Sequence, residues 1–234
     1  VLSNGSLTKI GSGTLTLTGA NTYTGTTGIT TGVLQLGSNG TTGEVDPSSV
    51  LALGSGRLVV NRSDAFTQAF ASTVLSGGGA VSANANNTVN FGAITRSAGG
   101  TLDISTSGTF ITSSANVNGI LAGITYGNTT WAVSNGSSAI TGLADGSYTT
   151  TTTAGNDPAQ YLNANIDVTS SPSPGAIAAN SLRFADATAA RTLTFTGSNT
   201  VSSGILVTAG VGANLSTITG GTLAGSSGGD LVVI

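Results

Sequence analysis

The side chains with the widest chemical reach in this 234-residue chain are its nine acids. Asp145, Asp157 and Asp167 fall in one stretch, and Asp64 and Asp103 in another. Paired carboxylates about 5 to 10 Å apart are what glycoside cleavage requires. None of these pairs sits in a local motif, and Asp is also an ordinary turn former, so solvated turn acids are the leading reading and a polysaccharide-cleaving groove the rival. The chain has neither His nor Cys. That excludes a Ser/His/Asp or Cys/His nucleophile and leaves zinc without its usual ligands. Calcium-winding nonapeptides are missing too, since Gly228-Gly229-Asp230 is only a fragment of one, and Asp230 reads as a turn residue. The glycine runs Gly77 to Gly79 and Gly99-Gly100 lack the Lys and helix start of a phosphate loop. No catalytic residue, metal or cofactor is expected.

Two binding chemistries stay open. Trp131 with Tyr126 and Tyr148 could stack on a pyranose ring, although aromatics beside an irregular stretch more often form its own small core. Lys9, the single lysine, allows at most one Lys-Asn crosslink, and its place in the pattern reads as an outward strand position.

The elements that must position these groups are short strands. Thr14 to Thr18, Gly28 to Thr30 and Val33 to Leu36 alternate apolar residues with Ser, Thr or Gln and stop at Gly or Asn-Thr, a period of two throughout. Further short strands recur every eight to twelve residues, which suits a sandwich, a barrel or a solenoid. The discriminator is an internal copy: Thr14-Leu15-Thr16-Leu17-Thr18-Gly19-Ala20-Asn21-Thr22 returns as Thr192-Leu193-Thr194-Phe195-Thr196-Gly197-Ser198-Asn199-Thr200. Stacked coils face identical neighbours and generate such copies.

The longer string from Gly11 to Gly37, with Gly13, Leu15, Leu17, Gly19, Asn21, Tyr23, Gly25, Ile29, Gly32, Leu34 and Gly37 at its marked positions, resembles the autotransporter-associated β-strand repeat, or passenger-associated transport repeat, of bacterial surface proteins secreted through an outer-membrane barrel. Leu193, Phe195, Gly197 and Asn199 mark the second copy. Phe91 to Asp103, Ser203 to Thr208 and Ser216 to Leu223 are similar to the non-repeat parts of large proteins that carry this repeat. The resemblance implies an extracellular, right-handed parallel β-helix with a structural or adhesive role, and it carries over no catalytic residue.

Composition agrees with that expectation. Only 6% of residues are charged, whereas an ordinary domain has about a quarter, so 39 Thr, 30 Ser and 36 Gly must supply most of the surface. With 38% apolar residues and a net charge of -3, the chain still has a core to bury. Six scattered basic residues make no nucleic-acid stripe. No run approaches the ~20 apolar residues of a membrane span, and no stretch of the given residues reads as a charged-then-apolar signal peptide. A chain with Val1 first and no Met reads as a piece of something longer.

The expected architecture is therefore all-β: one right-handed parallel β-solenoid over residues 1–234, with coils of about 20 to 30 residues, roughly eight to eleven of them over about 40 to 50 Å. Asn4-Gly5, Asn39-Gly40, Asn118-Gly119 and Asn135-Gly136 read as corners between its sheets. The connection from Ser38 to Pro47 reads as leaving the sheet. Phe66 and Phe70, four apart, read as rings stoppering the core over an irregular coil, with a short helical turn as the alternative. Asn84, Asn86, Asn87 and Asn90 suggest amide ladders between coils. Residues 119–180 break the rhythm with Trp131, three prolines and the run Thr149 to Thr153, and read as a loop-rich excursion or side lobe. The expected partners are neighbouring coils of the same longer chain or other copies of it, with surface or extracellular polysaccharide as a further candidate.

Overall fold

A strand that points every second aliphatic side chain inward becomes stable when another such strand stacks on it in register, because each inward residue then meets its equivalent one coil away. The computed structural model shows this arrangement repeatedly; it describes residues 1–38, 40–152, 157–226 and 229–234. These fall into two compact units. The first comprises Val1–Asn116, Ile124–Gly127 and Ala132–Thr141, and the second Val117–Gly123, Asn128–Trp131 and Gly142–Ile234.

In the first unit, three parallel sheets form the walls of a coil. Leu7–Lys9, Thr27–Ile29, Val50–Leu53, Ser72–Leu75 and Ala93–Arg96 make one wall. Thr14–Leu17, Val33–Leu36, Arg57–Val60, Gly78–Ala83, Thr101–Ile104 and Ile124–Tyr126 make the second, and Phe66–Ala69, Asn87–Asn90 and Thr109–Ile111 the third. Successive strands of the second wall pair in parallel at offsets of 19 to 24 residues, the lower half of the expected coil length. The register lays Leu15, Leu34, Leu58, Val81 and Ile104 in one inward column, and Leu17, Leu36, Val60 and Ala83 in the next. Leu34, Leu36, Leu58 and Val60 are wholly buried, each contributing about 1.5 to 3 kcal/mol of apolar burial.

The second unit winds the same way. Thr149–Thr150, Asn165–Asp167, Ala178–Phe184, Ser198–Val207 and Thr222–Ala224 stack in parallel, as do Arg191–Thr194 and Ser216–Thr219, at offsets of 16 to 25 residues. Tyr161, Ile166, Ile177, Leu182, Phe184, Leu193, Phe195 and Val201 fill its interior. Among the described residues, three short 3-10 helices, Asp145–Ser147, Pro158–Tyr161 and Ala209–Val211, interrupt the strands. Pro158 opens one of them behind Asp157, whose carboxylate accepts from the Ala159 N–H at 2.9 Å, an N-cap with proline in the first turn.

Several local expectations are corrected. Phe66–Ala69 is a strand, not a helical turn or an irregular coil, and it turns Gln68 inward beside Phe70 while Phe66 stays half-buried. Asn118 and Gly119 both have positive φ and join Val117 to Ile120, which exchange backbone hydrogen bonds as a two-residue antiparallel hairpin rather than a corner. Ser38 and Thr41 also pair antiparallel; Asn39 between them lies outside the described residues, as do Thr153 of the threonine run and Gly228 of the Gly-Gly-Asp fragment. The connection after Ser38 returns to the stack, for Glu44 bridges Ala20 in parallel and Val45 is buried.

Candidate functional site

The repeat residues converge on what holds one coil to the next. Tyr23, Ile29 and Leu34 are buried, Leu17 is nearly so, and Leu15 is half-buried. The Tyr23 hydroxyl lies 2.9 Å from Thr27 Oγ1, which lies 2.7 Å from Ser49 Oγ, and Ser49 donates to the Gly25 carbonyl at 2.6 Å. Because the Ser49 proton goes to Gly25, Thr27 must donate to Ser49 and Tyr23 to Thr27, so three buried hydroxyls run in one direction between adjacent coils. Burial pushes the Tyr23 phenol up, and its bond to Thr27 opposes that only in part.

Asn21 and Asn199 are the residues whose role the strand pattern does not announce. Asn21 is 4% exposed and Asn199 2%. The Asn21 side-chain carbonyl accepts from the Leu2 N–H at 2.7 Å, one coil earlier, and its amide donates to Gly19 O and to Glu44 O, one coil later, both at 2.9 Å. Asn199 repeats the arrangement. It accepts from the Ile177 N–H at 2.9 Å and donates to Gly197 O at 3.3 Å, Thr196 O at 3.3 Å and Thr222 O at 2.9 Å. One buried amide thus stitches three successive coils at the same place in both copies, saturating backbone groups that the corners leave outside the ladders.

Other amides also bond from one coil to the next. Gln68 exchanges bonds with both backbone groups of Val45, and Asn87 accepts from Arg62 N and donates to Asp64 O. Asn180, in a register shift between Ala179 and Ser181, donates to Asn165 Oδ1 and Asn118 O and accepts from the Ser203 hydroxyl. Asn84 donates to Asn61 Oδ1 at 2.8 Å, a rung of the kind anticipated for the asparagine cluster.

The repeat glycines serve different needs. A Cβ at Gly25 would lie 2.2 Å from Gly5 O, and at Gly32 2.2 Å from Gly11 O with φ at +70°, so both are set by close backbone approach from the coil below. Gly37 is crowded by Arg62 and by backbone carbonyls, and Gly197 has positive φ, whereas Gly13 faces open space and Gly19 makes only ordinary contact.

Lys9 corrects another expectation. It is 7% exposed rather than outward, and its ammonium donates to Ile10 O at 2.8 Å, Gly11 O at 2.6 Å and Thr31 O at 3.3 Å. These partners are backbone carbonyls, with no Asn side chain among them, so the charge closes two corners and its contacts do not set up an amide crosslink.

Of the aromatic candidates, Trp131 has 0% exposure and Tyr148 7%, so neither presents a ring face to solvent; Tyr126, in the other unit, is half-buried. The Tyr148 hydroxyl accepts from the Trp131 N–H at 3.2 Å and lies 2.8 Å from Thr130 Oγ1, which itself donates to Leu143 O. Arg183 stacks 3.9 Å above the Tyr148 ring, forks onto Asp167 at 3.1 and 2.7 Å and reaches Asp145 at 2.9 Å. Burial draws the Arg183 guanidinium down, but the bonds to Asp167 and Asp145, with the nearby Tyr148 phenol acting through charge alone, together hold it above its ordinary range. Burial likewise raises the Tyr148 phenol.

Asp145 and Asp167 therefore do meet, across a guanidinium that ties both carboxylates into a salt bridge. Asp64 and Glu44 likewise share Arg62, while Asp46 accepts from the Ser48 N–H, Asp103 from Thr125, Asp157 at its helix cap and Asp186 from Thr188 and Arg191. Among the described residues no three metal-ligating side chains cluster, and no helix is long and apolar enough to cross a membrane, which says nothing of a β-barrel.

Parallel coils, in-register aliphatic columns and amide stitches at a recurring position define a repeat-built β-solenoid. Residues 7–36 and 190–211 match the family model described as Passenger-associated-transport-repeat, so the chain carries the autotransporter passenger repeat at the two places where the asparagine stitch occurs. No curated protein and no solved structure gives a significant match to the chain.

Proposed function

We propose that this chain is a non-catalytic structural or adhesive stretch of a surface-displayed, autotransporter-like passenger, whose working part is the stack itself. The observation that carries this reading is the pair of three-coil stitches at Asn21 and Asn199, both inside the matched repeats. Side chains that in an enzyme would face substrate are here spent on neighbouring backbone. The partners in this reading are further coils, of the same longer chain or of another copy. In the first unit, Leu7–Lys9 and Thr14–Leu17 are each paired on one side only, the geometry on which another coil adds.

Antibodies raised to the chain should label intact producing cells, and external proteinase K should abolish the label. A label seen only after permeabilisation refutes surface display. Release of reducing ends from pectin, xylan or chitin by the purified chain refutes the non-catalytic part. Electron microscopy at high protein concentration tests assembly, and monomers alone count against it.

A further inference from the structure

Asn4-Gly5, Asn118-Gly119 and Asn135-Gly136 share a dipeptide that can modify itself. Glycine has no Cβ to shield its own nitrogen, so that nitrogen can attack the side-chain carbonyl carbon of the asparagine before it. The three pairs differ in what surrounds that carbonyl.

At Asn135 the side-chain oxygen accepts from the Ser137 N–H at 3.0 Å, the Ser138 N–H at 2.8 Å, the Ser138 hydroxyl at 2.8 Å and the Ser137 hydroxyl at 3.2 Å. These four donors polarise the carbonyl and stand ready for the negative charge its oxygen takes on when the carbon is attacked. The attacking group is held as well, for the Gly136 N–H donates to Ser134 Oγ at 3.0 Å. Asn135 is exposed, and its Nδ2, the leaving group, has no hydrogen bond among the described residues. A groove of about 240 Å³ lined by Asn116, Ser134, Asn135, Ser138 and Thr141 opens the corner to water.

The other two pairs lack these donors. Asn118 sits in a tight hairpin with φ at +50°, and its Nδ2 donates to Asn180 Oδ1 at 3.4 Å. Asn4 is exposed, and its side chain bonds nothing among the described residues. Asn4-Gly5-Ser6 and Asn135-Gly136-Ser137 are the same tripeptide, so a difference in their behaviour comes from the fold.

We propose that Asn135 is a site of self-deamidation. Gly136 N bonds to Asn135 Cγ and gives up its proton, while Nδ2 takes up a proton and leaves as ammonia, closing a five-membered succinimide. Water then opens the ring at either carbonyl, giving aspartate or an isoaspartate whose main chain runs through Cβ. Overall, one amide and one water become one carboxylate and one ammonium ion. The product adds a negative charge to a chain of net charge -3. As isoaspartate it also adds a backbone carbon where this segment is fastened to residues 110–116, through the Ala115–Asn135 bridge, the Ser134 N–H on Asn116 Oδ1 at 2.8 Å and the Ile140 N–H on Phe110 O at 2.6 Å. The corner therefore loosens with age, at a rate its own serines set.

The test is incubation of the purified chain at neutral pH, with samples digested over days and read by mass spectrometry and isoaspartyl methyltransferase labelling. In the folded chain Asn135 should convert at least about fivefold faster than Asn4. In urea, where only the shared tripeptide remains, the two rates should converge. Ser138→Ala removes one donor and keeps the N–H. It should slow Asn135 about fivefold and leave Asn4 unchanged, less than the roughly hundredfold loss in a water-excluded site because this corner is exposed. A thermal midpoint matching the parent shows that the variant folds. Conversion of Asn135 no faster than Asn4 in the folded parent, or at an unchanged rate in folded Ser138→Ala, overturns the proposal.

Discussion

Asn199→Ala removes the second stitch without adding bulk. One buried backbone group then loses its partner, the Ile177 N–H, 2.9 Å from Asn199 Oδ1, while the carbonyl of the exposed Thr222, 2.9 Å from Nδ2, turns to water. At about 1 to 3 kcal/mol for the stranded group, the loss should be about 2 kcal/mol. That corresponds to roughly thirtyfold faster hydrogen exchange of the Ile177 amide. Asn199→Asp sharpens the test, because it keeps the acceptor and the shape but sets an oxygen against three carbonyls. The introduced carboxyl should fold in its protonated form, with a folded pKa above its unfolded value of about 3.9. A group raised on folding contributes stability that is complete below the unfolded pKa and is lost as pH rises through the folded one. The Asp variant should therefore lose stability from about pH 4 upwards, while the Ala variant stays displaced from the parent by a constant amount. Exchange at Ile177 within threefold of the parent in Asn199→Ala, or a pH-independent Asn199→Asp, refutes the stitch as the bond that joins these coils.

Gly32→Ala should prevent correct winding at the Thr31-Gly32 corner, since its Cβ would meet Gly11 O at 2.2 Å, whereas Gly13→Ala should leave the melting temperature within a few degrees; circular dichroism on both variants checks the contrast. Arg183→Lys cannot reproduce the fork onto Asp167 or the stack on Tyr148, and should destabilise the second unit by about 3 kcal/mol, read as a fall in its thermal midpoint. Asp186 should titrate at about 2 by carboxyl NMR, held down by the Thr188 hydroxyl and N–H and by Arg191. Its contribution to stability is present above its unfolded pKa near 4 and lost as pH falls toward 2, and Thr188→Val should return the titration toward 4.

The parallel stack was legible from the sequence because its cause is local. Threonine alternates at period two with leucine in the first copy and with Leu193 and Phe195 in the second, and the columns Leu15, Leu34, Leu58 and Leu17, Leu36, Val60 lie where alternation puts them. Contacts made one coil away were less legible. Lys9 occupies a strand position whose neighbours do not announce carbonyls at Gly11 and Thr31, so its buried ammonium was not expected. Phe66 and Phe70 look equivalent at their spacing, but Arg62 claims the first ring and the core the second. Asn118-Gly119 carries the same dipeptide as a corner, and pairing of Val117 with Ile120 makes it a hairpin. The stitch did leave a signal, a Gly-x-Asn at the same distance from the Thr-x-Thr strand in both copies, but an asparagine after a glycine also reads as a plain turn.

In a stack whose members touch only the layers directly above and below, each layer is held by its two neighbours and by little else. Asn21 keeps to that rule but serves both neighbours with one side chain, gripping Leu2 on one side and Glu44 on the other. Unravelling either neighbour therefore weakens the hold on the other, and a stack fastened this way should resist fraying until a threshold and then give way over several turns at once.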